Sequence, residues 1–83
     1  MERPRHFDYK ADATAIVTAA KTDCDRLPVD MLQMRVRTGS VISGRTAKFL
    51  YDELDKGRIA GNRIGRSWRI STIPFLRQLG IID

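Results

Sequence analysis

A chain of 83 residues, 42% hydrophobic and 30% charged, is sized for one domain around one modest core and is too rich in apolar side chains for a disordered tail. Its formal net charge of +5 points to an anionic partner, nucleic acid before membrane or acidic protein. One cysteine (Cys24) and one histidine (His6) exclude an internal disulfide and a structural zinc set, and the apolar run ATAIVTAA (13–20) falls short of the roughly 20 residues that span a bilayer.

Residues 1–11 are charged, contain Pro4 and show no period, which predicts a mobile N-terminal arm, with the folded domain over residues 12–83. Asp12 is the expected N-cap of a helix over roughly 13–21, with Ile16, Val17 and Ala20 on one side. Pro28 suits the first turn of a second helix over roughly 28–37, in which Leu27, Met31 and Met34 recur at helical spacing as core and Gly39 follows the end. SVIS (40–43) reads as a short turn that offers Ser40 or Ser43 as a cap. A third helix is expected over roughly 44–56, with Ala47, Leu50, Tyr51 and Leu54 as a buried stripe and Gly57 after its end. Together the second and third helices form a helix-turn-helix candidate.

Beyond Gly57 the period becomes alternating, and RIAGNRIGRSWRI (58–70) reads as a β-hairpin around a glycine turn. A three-residue loop of Gly65, Arg66 and Ser67 would set Ile64, Trp68 and Ile70 on one face as the anchor to the core. Arg63 and Arg69 would then face each other on the other side, with Arg66 at the tip. Opposed arginines repel, so a polyanion between them is the expected relief. Ser71 caps a last helical segment with Pro74 in its first turn, carrying Ile73, Phe75, Leu76 and Leu79.

The positive charge is placed unevenly. Residues 1–33 carry five Lys/Arg against six Asp/Glu, whereas residues 34–69 carry nine against three. Within that segment Arg45, Thr46 and Lys48 stand in the first turns expected for the third helix, where side chains reach base edges, although Thr46 is also a candidate cap. Arg63, Arg66, Ser67 and Arg69 are the candidate contacts of the hairpin. Arg35 and Arg37 either neutralise phosphate or complement the end of their own helix. Phe49 is either core or a contact for a neighbouring protein. No nucleophile with a histidine partner, phosphate loop or metal cluster stands out, so neither enzyme activity nor a cofactor is expected.

The stretch DKGRIAGNRIGRSWRIS (55–71) resembles the excisionases of phages and mobile elements and the related MerR-type domains. In that pattern a helix ends at glycine, a basic and an apolar residue follow, and the hairpin runs Arg, apolar, Gly, Arg, any residue, Trp, Arg, Ile. Gly57, Arg58, Ile59, Arg63, Ile64, Gly65, Arg66, Trp68, Arg69 and Ile70 fill those places, and SGRT (43–46) is similar to the family's helix opening. The resemblance spans roughly residues 27–79 and is strong over 54–71. It implies a mainly α fold with a small β-hairpin, a winged helix-turn-helix with its third helix in the major groove of double-stranded DNA and its wing over an adjacent minor groove.

Excisionases of this kind bind repeated sites cooperatively, bend attachment-site DNA and direct an integrase toward excision. The single cysteine fits a reducing, cytoplasmic location, and no membrane partner is expected. A small transcriptional repressor or a phage packaging subunit would use the same module. An interaction module for an acidic protein is the alternative of a different class.

Overall fold

A computed structural model of the chain describes residues 7–83; the first part of the expected arm, with His6, lies outside them. Helix α1 is Tyr9–Asp23, capped by Asp8, whose Oδ1 accepts from the Ala11 N–H at 3.0 Å. The helix thus starts four residues ahead of expectation and takes in residues 9–11. Asp12, expected as its cap, instead accepts a 2.8 Å hydrogen bond from the buried Thr38 hydroxyl, tying α1 to the helix that follows. A single 3₁₀ turn, Cys24–Arg26, closes this part.

The second helix departs most from its sequence reading. Pro28 opens only a 3₁₀ turn, Val29–Met31, followed by strand β1 (Gln33–Arg35) and then helix α2 (Val36–Ser43). The spacing of Leu27, Met31 and Met34 fits a helix, but it fits a turn and strand equally well once Met34 faces inward, as it does. Pairing with a distant strand decides the outcome. SVIS is the second half of α2, Gly39 lies inside that helix against Ile70, and the chain breaks at Gly44, whose φ of 75° is the left-handed end that glycine takes without steric cost.

Helix α3 is Ala47–Asp55. Its cap is Thr46, which accepts from the Phe49 N–H at 3.1 Å, so Arg45 and Thr46 precede the helix instead of lying in its first turns. Leu50 and Leu54 are buried and Ala47 half-buried, but Tyr51, expected in the stripe, is 44% exposed. Two further strands, β2 (Gly61–Ile64) and β3 (Ser67–Ser71), complete an antiparallel sheet of order β1-β3-β2, and helix α4 is Thr72–Gln78.

The hairpin register differs from the expected three-residue loop. Ile64 pairs with Ser67, Arg63 with Trp68, Asn62 with Arg69 and Gly61 with Ile70, which leaves a two-residue turn of Gly65 and Arg66. Gly65 has φ 62° and Arg66 has none of the positive φ, the type II′ pattern with glycine first. Ile64 is consequently on the outer face at 59% exposure and anchors nothing. Trp68 and Ile70 do face inward, Ile70 fully buried and Trp68 packed against the core.

That core joins Ile16 and Ala20 of α1, Met34, Val36, Leu50, Leu54, Ile59, Ile70, Phe75 and Leu76. Each fully buried Leu, Ile or Phe contributes roughly 1.5–3 kcal/mol. All four helices and strands β1 and β3 supply at least one of these side chains; β2 supplies none, and its attachment is the ladder to β3 and the close approach of Gly61 to Leu54. The molecule is thus mainly helical with a small antiparallel sheet, and among the described residues no helix is long and apolar enough to cross a membrane.

Candidate nucleic-acid interface

The sheet brings together basic residues that are far apart in sequence. Antiparallel pairing of β1 with β3 sets Arg35 directly opposite Arg69, so the opposed arginines exist, but they are this pair and not Arg63 with Arg69. Like charges in that relation repel. Arg37 stands in the first turn of α2, and beside the three arginines opens a cleft of ≈ 190 Å³ lined also by Tyr9, Tyr51 and Trp68, with Ser67 at its wall. Helix α2 begins at this cleft with no side-chain cap from its N-cap residue, Arg35, and its first amides add the partial positive charge of a helix N-terminus.

Charge pairing is sparse. The ion pairs among the described residues are Arg26 with Asp23 at 3.6 Å and Arg58 with Glu53 at 3.3 Å. Among those residues Arg35, Arg37, Arg45, Lys48, Lys56, Arg63, Arg66 and Arg69 have no carboxylate within ion-pair distance. Several of them rest on aromatic rings instead. The Arg35 guanidinium lies 3.9 Å from the centre of the Phe7 ring, Arg63 6.0 Å from Trp68, and Arg45 5.0 Å from Phe49. A cation over a ring keeps its charge for a second partner, because the face of the ring attracts without neutralising.

The expected site residues fall into three groups. Arg35, Arg37, Ser67 and Arg69 share the cleft, with Trp68 as its apolar wall. Arg63 stands beside Trp68 on the core-facing side of the hairpin, and Arg66 is at the exposed tip. Arg45 lies on the far flank of α3, in a hollow with Phe49, Leu79 and Gln78, so the structure does not bring it to the cleft. Lys48 is exposed on the outward side of α3 between the two flanks, and the Thr46 hydroxyl is occupied as a cap.

Tyr9 and Tyr51 are cleft residues that sequence reasoning missed. A signal existed for Tyr51, since a residue at the edge of an apolar stripe that carries a hydroxyl suits a boundary; Tyr9 was hidden by the assignment of residues 1–11 to an arm. A site of this make-up, cationic, open and flanked by aromatic hydroxyls, has the donors that charge-assisted hydrogen bonds to an anionic group require. No group of three or more His, Cys, Asp or Glu side chains is placed to hold a metal ion among the described residues. No family model, curated protein or solved structure matches the chain.

Proposed function

We propose that the chain is a winged helix-turn-helix protein that binds double-stranded DNA. Helix α3 lies in the major groove, α2 supports it, and the β2–β3 hairpin is the wing that reaches over the adjacent minor groove with Arg66. The observation that carries the reading is the cleft at the α2 start, where Arg35, Arg37 and Arg69 gather with no carboxylate partner among the described residues. A fold seeking stability alone gains nothing from opposing Arg35 and Arg69. A backbone phosphate between them turns that repulsion into binding.

The element order β1, α2, α3, β2, β3, α4 supports the same reading, as do the three-residue link between α2 and α3 and the exposure of Lys48 at the N-terminal half of α3. The likeness of residues 54–71 to excisionases narrows it to an accessory factor that bends attachment-site DNA in the cytoplasm, associates with further copies on repeated sites and directs an integrase toward excision. A repressor or packaging subunit shares every DNA contact and differs in the reaction served.

Titrating duplex DNA at rising salt tests the binding. With four to six phosphates neutralised, log affinity falls against log salt with a slope of about −4 to −5. A flat dependence, or no duplex binding at low salt, favours the interaction module for an acidic protein. Stimulation of integrase-dependent excision by the protein then separates the excisionase role from repression.

A further inference from the structure

Helix α3 presents charges of both signs on its outward side. Leu50 and Leu54 define its buried side, and Lys48, Asp52 and Asp55 lie opposite them, all exposed. Lys48 and Asp52 are four residues apart, neighbours on one face separated by a rise of about 6 Å. They form no ion pair, and the Asp52 carboxylate accepts no hydrogen bond from any described residue. The adjacent Glu53 behaves differently: it is half-buried on the flank and bonded to Arg58 at 3.3 Å. The acid beside the hairpin is neutralised, while the two facing outward, Asp52 and Asp55, have no ion-pair partner among the described residues.

We infer that Asp52 is a specificity-determining residue that accepts a hydrogen bond from the exocyclic amine of a cytosine in the major groove, about two base pairs from a guanine contact made by Lys48. The inference rests on the duplex-binding reading given above. A carboxylate on the helix face that meets DNA is repelled by every phosphate, and the groove holds only two donors to receive it, the N4 amine of cytosine and the N6 amine of adenine. The adenine amine stands beside N7, an acceptor that opposes the second carboxylate oxygen. Cytosine has no such neighbour, so it is the favoured base.

Lys48 donates to guanine O6 or N7, and the 6 Å rise between the two residues spans about two base-pair steps of 3.4 Å. Asp52 therefore weakens binding to arbitrary DNA and sharpens the choice of site, the repulsive half of specificity.

Selection of bound duplexes from a randomised library, with the parent, Asp52→Ala and Asp52→Asn, tests this. The parent is expected to select cytosine at one position by about tenfold over other bases. Asp52→Ala abolishes that preference and binds unselected duplex several-fold more tightly, with an unchanged salt slope. Asp52→Asn moves the preference from cytosine to adenine, which an amide can bond at N6 and N7 together. Circular dichroism spectra equal to the parent's show that both variants fold. The same selected bases in Asp52→Ala as in the parent overturn the inference while duplex binding stands. A parent that binds no duplex overturns both.

Discussion

Gly61→Ala should loosen the hairpin from α3, and the structure sets the size of the effect. A Cβ at this position would stand 2.5 Å from the Arg69 carbonyl oxygen and 2.6 Å from Leu54 Cδ2. The leucine can turn aside, but the carbonyl belongs to the strand that pairs Gly61 with Ile70 at the centre of the sheet, so relief requires backbone movement. Overpacking of this kind costs about 3 kcal/mol, the upper part of its usual range, and the lower entropy of the unfolded alanine chain offsets about 0.4–1 kcal/mol of it. The net loss of about 2 kcal/mol corresponds to a melting temperature lower by about 8–16 °C in a domain of this size. Thermal unfolding followed by circular dichroism and by Trp68 fluorescence measures it. A melting temperature within about 2 °C of the parent would refute the tight approach of β2 to α3 and β3.

Three further outcomes are expected. Trp68→Ala, which removes a half-buried ring packed on the core and the seat of Arg63, should destabilise by about 2–3 kcal/mol in denaturant unfolding; unchanged stability would remove the tryptophan from the core. Thr72→Val should stabilise by up to about 1 kcal/mol, because the buried Thr72 hydroxyl has no hydrogen-bond partner among the described residues and valine ends the cost of its desolvation; a loss of stability would mean that the hydroxyl is satisfied. Arg66→Ala should leave the melting temperature unchanged and reduce duplex affinity several-fold, with the salt slope shallower by about 1; full affinity would place the hairpin tip away from the backbone.

Local signals in the sequence reached the helices with strong stripes and the inward side of β3. Leu50, Leu54, Ile70 and Phe75 are buried as their spacing predicts, and the glycine turn at 65 is where the hairpin reverses. Features set by long-range pairing were not legible. Strand β1 is three residues long, too short for alternation to register, and its existence depends on β3 some 35 residues later, with Met34 opposite Ile70. The hairpin register failed for another reason: sorting charged from apolar side chains treats Arg63 beside Trp68 as a mismatch, although a guanidinium packs on an indole face. The cleft was hidden for two reasons: Arg35 meets Arg69 only through β1, and Tyr9 arrives only because α1 starts early.

Footprinting of the protein on its selected duplex tests the groove assignment most directly. The account predicts protection of guanine N7 in one major-groove segment, where α3 lies, together with protection of the sugar backbone across the adjoining minor groove, lost on that minor-groove side alone in Arg66→Ala. Protection confined to one backbone strand with every guanine N7 reactive would contradict it.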